Sequence, residues 1–221
     1  MDMVTVCGLK KYFGTGIRQV KAVDGIDLSI EKGTFTAVVG ASGSGKTTLL
    51  NLIGGLYQPT EGTVTVDGTE LSTLREEELT VFRRRRIGFV FQDCRLIPEL
   101  TVRENILLPL ALDGSRPNPA LFDRLTGLLG LESRLDSFPH MLSGGGQQYT
   151  AIARALMTRP AIILADEPTG SLDAKTGQNV AGLLKMTVDV FHQTLIMITH
   201  NPELAQLADH VVCLQNGRVA K

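Results

Sequence analysis

The sequence of 221 residues lacks the features that mark membrane-spanning and secreted chains. It contains no apolar run of the roughly 18 residues that a transmembrane helix needs. The first six residues, Met1 to Val6, contain no basic segment followed by an apolar stretch, so no secretion signal is expected. We therefore expect a soluble cytoplasmic chain that meets a membrane only through another protein.

The sequence also has almost no net charge and few groups arranged for metal binding. The formal charge of -1 gives no reason to expect nucleic acid as a partner. The three cysteines, Cys7, Cys94 and Cys213, form no CxxC pair, and the four histidines have no metal-ligand spacing. We expect no zinc site and no disulfide framework, and we expect the cysteines to be buried or half-buried free thiols.

The order of apolar patterns predicts one α/β domain. Strand-like segments dominate the first part of the chain, and residues 101–156 have a mainly helical pattern. Apolar strand-like runs at 161–165, 194–199 and 211–214 follow. Strands that alternate with helices indicate a parallel sheet.

A phosphate-binding loop follows the strand-like run 35–39. The pattern GxxxxGK[ST] is complete in Gly40, Ala41, Ser42, Gly43, Ser44, Gly45, Lys46 and Thr47. Glycines let several backbone N–H groups point at one centre, and the following helix adds its N-terminal partial charge. Lys46 supplies a point charge for the β- and γ-phosphates, and the Thr47 hydroxyl is a hard oxygen ligand for Mg²⁺.

Two carboxylates end the strand-like run 161–165. In a parallel sheet the carboxyl ends of the strands line the ligand crevice. Asp166 is therefore expected to hold Mg²⁺ through water. Glu167, one residue further on, is expected to orient or deprotonate the attacking water.

Four further motifs complete a recognisable order. Gly88–Gln92 ends in a glutamine, Leu142–Gly145 reads Leu-Ser-Gly-Gly, Ser171–Asp173 follows the acidic pair, and His200 follows the next strand. With a phosphate loop running from Gly40 to Thr48, this series resembles the ATPase subunits of ABC transporters over essentially the whole chain.

The resemblance implies a P-loop NTPase fold of the ABC ATPase type. This fold is α/β, with a mainly parallel core sheet, an N-terminal antiparallel β layer and an inserted helical subdomain. We expect residues 1–221 to form a single ABC ATPase domain. Its catalytic core would comprise 1–92 and 157–221, and its helical subdomain, which carries the Leu-Ser-Gly-Gly motif, 93–156.

The resemblance also implies roles for individual residues. Catalytic roles fall to Glu167, His200, Gln92 and Lys46, and the residues around the Mg²⁺ ion are Thr47, Gln92 and Asp166. Besides the phosphate loop, the residues expected to contact ATP are Tyr12, which would stack on adenine, and Ser143, Gly144, Gly145 and Asp173. Ser143 to Gly145 would meet the nucleotide held by a second copy of the chain.

Within the family, the sequence looks most like the branch of macrolide-efflux, lipoprotein-release, bacitracin-type peptide-resistance and haem-efflux ATPases. We expect a peripheral ATPase at the cytoplasmic face of the cell membrane. It would form a homodimer in the ATP state, and it would power a separate permease of an export or mechanical extraction system. The alternative is a signalling ATPase that regulates a membrane-bound cell-wall or division partner without moving substrate.

Some positions depart from the family pattern or are open to two interpretations. Gly146 and Tyr149 replace a polar residue and an arginine that usually follow the Leu-Ser-Gly-Gly motif. The basic run Arg83–Arg86 is interpreted as a solvated or ion-paired helix end rather than a contact for lipid or nucleic acid. Residues 93–105, together with Pro139 and His140, are the expected docking region for the membrane partner.

Overall fold

The computed structural model describes residues 1–220 and contains two β-sheets with helices around them. In chain order the elements are β1 Asp2–Phe13, β2 Val20–Glu31, β3 Phe35–Val39, α1 Lys46–Ile53, β4 Glu61–Val66, β5 Thr69–Glu70, α2 Glu76–Arg86, β6 Ile87–Phe91, α3 Val102–Asp113, α4 Pro119–Leu128, α5 Gly144–Met157, β7 Ile162–Asp166, α6 Ala174–Phe191, β8 Thr194–Ile198, α7 Pro202–Ala205, β9 His210–Gln215 and β10 Arg218–Val219. Within residues 1–220, no helix combines the length and the apolar character needed to cross a membrane.

The larger sheet has six strands in the order β10-β9-β3-β8-β7-β6. Strands β9, β3, β8, β7 and β6 run parallel, and only β10 is antiparallel to its neighbour. The central strands β7 and β8 are almost entirely buried apolar runs, because a parallel sheet is covered on both faces. This is the mainly parallel core sheet that the sequence predicts.

The smaller sheet is fully antiparallel, in the order β2-β1-β4-β5, as expected for the N-terminal layer. Its inward side chains, among them Val6 and Ile26, form one hydrophobic cluster with Leu49 of α1 and with Leu164 and Ile196 of the core sheet. Helix α1 and the small sheet therefore cover one face of the core sheet.

Helices α3, α4, α5 and α6 cover the opposite face. Side chains of the core sheet that point this way, such as Ile163 and Leu195, join a second cluster with Ile106, Ile152 and Leu184 from those helices. Three of these helices, α3 to α5, lie in the chain between β6 and β7, where the helical insertion is expected. The boundaries 1–92, 93–156 and 157–221 stay a prediction.

The expectation for the cysteines was wrong at two of the three positions. All three thiols are free, and only Cys94 is buried, whereas Cys7 and Cys213 are exposed. Side chains along a strand alternate between the two faces of the sheet. Cys7 follows the buried Val6 and Cys213 precedes the buried Leu214, so both thiols face outward.

The packing between the layers makes a quantitative prediction about stability. Leu164 in β7 is completely buried in the cluster between the two sheets. Leu164→Ala should lower the free energy of unfolding by about 2–5 kcal/mol, because it removes apolar contacts and leaves a cavity. Urea denaturation measures this change. Leu112→Ala is the control, since Leu112 is 64% exposed, and its effect should stay within about 0.5 kcal/mol.

Candidate functional site

The phosphate loop joins the end of β3 to the start of α1 and depends on two close backbone contacts. A Cβ atom at Gly40 would lie 2.2 Å from the carbonyl oxygen of Leu214, and one at Gly45 would lie 2.1 Å from that of Ala22. Both glycines also have positive φ angles, 150° and 102°. Only glycine fits at these two positions, and the loop can therefore curl tightly enough for its N–H groups to surround a phosphate.

The Lys46 side chain is folded back into this loop. Its Nζ donates hydrogen bonds to the carbonyl oxygens of Gly40 at 2.8 Å and Ala41 at 2.9 Å. The side chain is almost completely buried, so its ammonium group is held at the place where phosphates would bind. A cavity of about 670 Å³ opens in front of it, which is within the size range of small-molecule sites. The lining residues are Val20, Lys21, Ala22, Gly40, Ser42, Gly43, Gly45, Lys46, Thr47, Thr48, Glu167, His200 and Asn216.

The donor set beside the cavity suits Mg²⁺. The Thr47 hydroxyl donates a hydrogen bond to the Asp166 carboxylate at 3.2 Å, which brings together the ends of two distant segments. Burial raises the pKa of Asp166, and the Thr47 hydrogen bond opposes that rise. Mg²⁺ typically takes one or two protein oxygens and completes its shell with water and phosphate oxygens. Thr47 and Asp166 match that requirement.

Glu167 and His200 meet at the edge of the same cavity. The Nδ1 atom of His200 lies 3.2 Å from Oε2 of Glu167. Glu167 adopts a positive φ of 45° directly after β7, and its N–H donates to the carbonyl of Ile198. Asn201, not His200, caps α7 by accepting from the N–H of Glu203. His200 is thus free of the helix-capping role and lies beside the carboxylate.

The Leu-Ser-Gly-Gly segment lies away from this cavity. Ser143 caps α5 by accepting a hydrogen bond from the N–H of Gly146 at 3.2 Å. Neither Ser143 nor Gly144 nor Gly145 lines the phosphate-loop cavity of its own chain. Ser143 and Gly144 are exposed, so the first turn of α5 presents a hydroxyl and backbone N–H groups outward.

Asp173 and Gln92 also lie outside the lining of the main cavity. Asp173 caps α6 through the N–H and the hydroxyl of Thr176, and these bonds lower the pKa of the Asp173 carboxyl. It lines a smaller cavity of about 250 Å³, which Glu167 and His200 share. The Gln92 amide packs against Gly170, where an added Cβ would lie 2.9 Å from its Nε2 atom.

Polar contacts that the sequence analysis did not predict connect α5 to the residues on both sides of Gln92. Gln148 donates to the carbonyl of Phe91 at 3.1 Å and accepts from the Cys94 thiol at 2.6 Å. Arg154 donates to the carbonyls of Cys94 at 2.6 Å and Arg95 at 2.7 Å. Burial lowers the pKa of Arg154 and raises that of Cys94 to about 11. No local sequence pattern predicts these contacts, because they join residues that are more than 50 positions apart.

Tyr12 lies beside Lys21, which is one of the residues that line the cavity. The Tyr12 hydroxyl donates to Asp24, and the Lys21 ammonium lies 5.3 Å from the centre of the Tyr12 ring. Lys21 lines the phosphate-loop cavity, whereas Tyr12 is not among the lining residues. Lys21 and Asn216 were not expected at this site. The Asn216-Gly217 pair could have been found, since it is a strong hairpin signal after an apolar run.

Two members of the expected docking region are buried, and the role of the region as a whole stays a prediction. Asn105 is fully buried, and its amide holds the carbonyls of Ile97, Leu100 and Thr101. Pro139 is also buried. Asn105 thus holds the loop before α3 together, and neither buried side chain presents a surface to a partner.

The groove that the structure presents lies between α2, β6 and α3, and we call it the α2–α3 groove. Its volume is about 520 Å³, and its lining combines apolar side chains with arginines: Leu56, Phe89, Phe91, Leu108, Leu112, Arg83, Arg84, Arg95 and Arg154. The run Arg83–Arg86 ends α2, as expected, and three of its members form ion pairs. Arg84 and Arg85 contact Asp113, and Arg86 contacts Asp67.

Comparisons with known proteins agree with this geometry. A family model described as ABC transporter matches residues 23–170. The macrolide export ATP-binding/permease protein MacB of Rhodopirellula baltica is 44% identical over 223 residues, which cover 99% of this chain and 33% of that protein. The bacitracin export ATP-binding protein BceA of Halalkalibacterium halodurans is 37% identical over 222 residues, covering 99% and 87%. This chain thus spans about a third of the length of its MacB relative.

A solved structure is similar over nearly the whole chain. The dimeric ATP-binding cassette MJ0796, in a post-hydrolysis state bound to ADP and Pi, is 39% identical with a TM-score of 0.89. The alignment covers 99% of this chain and 97% of that one. This likeness confirms the expected α/β fold with its two sheets.

The glycines that begin α5 give a testable contrast. A Cβ at Gly146 would meet Leu142 at 3.4 Å and Ser143 at 3.5 Å, which are ordinary contacts. Gly146→Ala should therefore raise the free energy of unfolding by about 0.5–1 kcal/mol, because alanine loses less backbone entropy.

Gly145 is the matched control for this experiment. A Cβ there would lie 2.7 Å from Cγ2 of Thr176, whose hydroxyl is bonded to Asp173. Gly145→Ala should therefore destabilise the protein. Denaturant unfolding of both variants tests the contrast, and equal effects at the two positions would contradict the packing described.

Proposed function

Because this chain belongs to the ABC transporter family and is its ATP-hydrolysing cassette, we propose that it dimerises on ATP and powers a membrane permease of an export or extraction system. The observation that carries the proposal is the convergence at one cavity of a phosphate loop, the Thr47–Asp166 pair and the Glu167–His200 pair. The first would bind the triphosphate, the second would bind the metal, and the third would handle the attacking water.

The proposed roles follow from these contacts. Phosphate oxygens would replace the carbonyls of Gly40 and Ala41 as the partners of the Lys46 ammonium. The Glu167 carboxylate would accept the proton of the water that attacks the γ-phosphate. His200, whose Nδ1 lies 3.2 Å from that carboxylate, would hold it in position and reach the γ-phosphate.

Mg²⁺ supports the same step. Thr47 and Asp166 would hold the ion, with Gln92 approaching once nucleotide is present. When bound, Mg²⁺ would neutralise charge on the β- and γ-phosphates.

Dimerisation is proposed because the Leu-Ser-Gly-Gly segment lies away from the phosphate-loop cavity of its own chain. Ser143 and Gly144 are exposed at the start of α5 and lie outside the cavity of their own chain. A helix N-terminus with free N–H groups and a hydroxyl is suited to binding phosphate. A second copy would bring this helix end, together with Asp173, to the γ-phosphate of the first. The dimeric state of the similar solved cassette supports this arrangement.

The proposed partner is a permease carried on another chain. The BceA relative, of which this chain covers 87%, is named as an ATP-binding export protein, and MacB is named as an ATP-binding/permease protein. These names favour export over the signalling alternative. The α2–α3 groove is the proposed contact surface, and it would place the chain at the cytoplasmic face of the membrane.

The first test separates ATP binding from hydrolysis. Glu167→Gln should retain ATP binding, lose turnover and accumulate as a dimer with Mg-ATP, because only the group that accepts the proton is removed. Lys46→Ala should lose both binding and turnover, because the cation that faces the phosphates is removed. ATP binding, phosphate release and light scattering measure the three quantities.

Two results would count against this scheme. Wild-type turnover in Glu167→Gln would place the general base elsewhere. A Glu167→Gln protein that remains monomeric at saturating Mg-ATP and high protein concentration would contradict dimerisation by the chain alone.

The second test concerns the α2–α3 groove. Leu112 is 64% exposed at the rim of the groove, and Leu112→Glu should reduce the fraction of the protein that sediments with membranes in its native cells. ATP turnover of the isolated protein should be unchanged. Leu207→Glu is the control, since Leu207 is also exposed but lies outside the groove. Equal membrane fractions for wild type and Leu112→Glu would argue against this docking surface.

A further inference from the structure

The tip of the β9–β10 hairpin contacts both the phosphate loop and strand β2. The N–H of Gly217 donates to the carbonyl of Ser44 in the phosphate loop at 3.0 Å. The carbonyl of Gly217 accepts from the N–H of Asp24 in β2 at 2.8 Å. A Cβ at Gly217 would lie 3.0 Å from the carbonyl oxygens of Lys21 and Ala22, so glycine is required for this close approach. Gly217 thus connects the phosphate loop to strand β2 through its two backbone hydrogen bonds.

The next residue of the hairpin extends this contact to Tyr12. Arg218 donates to Oδ2 of Asp24 through Nε at 3.2 Å and through Nη2 at 2.8 Å. The other oxygen, Oδ1, accepts from the Tyr12 hydroxyl. The Asp24 side chain is only 14% exposed, and both of its oxygens are occupied. The hydrogen bonds from Tyr12 and Arg218 lower the pKa of Asp24 to about 2, so the carboxylate is charged at neutral pH.

Lys21 connects this network to the cavity. Its ammonium lies over the Tyr12 ring, and the same residue lines the cavity beside the phosphate loop. Lysine side chains are long and flexible, so the Lys21 ammonium can move away when a nucleotide base stacks on the face of the Tyr12 ring. The Tyr12 ring, in contrast, is fixed at its hydroxyl end by Asp24.

We propose that Asp24 and Arg218 are positioning residues, which hold the Tyr12 ring where it meets the base of the bound nucleotide. The proposal rests on the proposed ATP-binding function and on the role that the family resemblance implies for Tyr12, which is to stack on adenine. A ring that is already immobilised loses less side-chain freedom on binding, so the network increases affinity through preorganisation. The side-chain hydrogen bonds of Asp24 do not extend to the phosphate loop and Lys46.

The test compares ATP with inorganic tripolyphosphate, which has the phosphates but no base. An amide at position 24 offers one acceptor oxygen to two donors, so Asp24→Asn must disturb the contact with Tyr12 or Arg218. Asp24→Asn and Arg218→Gln should raise the Kd and the KM for ATP about two- to tenfold, the range expected from freeing one side chain. The Kd for tripolyphosphate and the kcat at saturating ATP should stay within about twofold of wild type, on the same scale.

Two further variants show that the effect passes through Tyr12. Tyr12→Phe keeps the ring and removes the bond to Asp24, so it should resemble Asp24→Asn, and the double variant should be no weaker than either single one. Glu61→Gln is the matched control. It also converts a carboxylate to an amide on the same sheet, but its partner is Lys10, and ATP binding should not change.

Each other outcome overturns a distinct claim. If Asp24→Asn and Arg218→Gln bind ATP like wild type while Tyr12→Ala binds it weakly, the positioning role is wrong and the base contact stands. If Tyr12→Ala has no effect, the base contact itself is wrong, while the roles of Lys46 and Glu167 are untouched. If ATP and tripolyphosphate weaken equally, the network supports the phosphate loop and not the ring, and the proposal fails.

Discussion

The close approach of two backbone carbonyls to the phosphate loop is the constraint on which the site depends. The carbonyl of Leu214 comes from β9 of the core sheet, and that of Ala22 comes from β2 of the antiparallel sheet. Each lies where a side chain at Gly40 or Gly45 would otherwise be. The loop is therefore fixed between the two sheets, and the curvature of its backbone is set by tertiary contacts as well as by its own glycines.

The parallel topology explains why the remaining groups lie near that loop. Strands β3, β7 and β8 are adjacent in the core sheet, and their carboxyl ends meet at one edge. The phosphate loop follows β3, Asp166 and Glu167 lie at the end of β7, and His200 follows β8. Residues that are far apart in the sequence thus reach one cavity without any special connection between them.

The phosphate end of the site could be predicted from the sequence because it is built from local patterns. A glycine-rich loop between a strand and a helix, and two carboxylates after a buried strand, have a direct physical meaning. The base end could not be predicted in the same way. Asp24 and Arg218 are 194 positions apart, and only the folded arrangement of β2 and β10 brings them together.

Asn105 illustrates a second feature that depends on contacts formed only in the folded chain. Asn105 is polar and follows a proline-containing loop, which is typical of an exposed position, yet it is buried because its amide satisfies three backbone carbonyls of that loop. Polarity predicts exposure only where no buried backbone group needs a partner. The proposed groove uses apolar residues of β6 and α3 that border α2.

That groove adjoins the contacts that connect the two halves of the proposed dimeric site. Phe91, Arg95 and Arg154 line the groove, and the same residues belong to the link between α5 and the segment after Gln92. Helix α5 would serve the nucleotide of the second copy, whereas Gln92 would serve the nucleotide of its own chain. Because buried Gln148 and half-buried Arg154 are hydrogen-bonded to that segment, the helix and the segment cannot shift independently without breaking those bonds. A partner that bound in the α2–α3 groove would therefore affect both nucleotide sites of the proposed dimer at once.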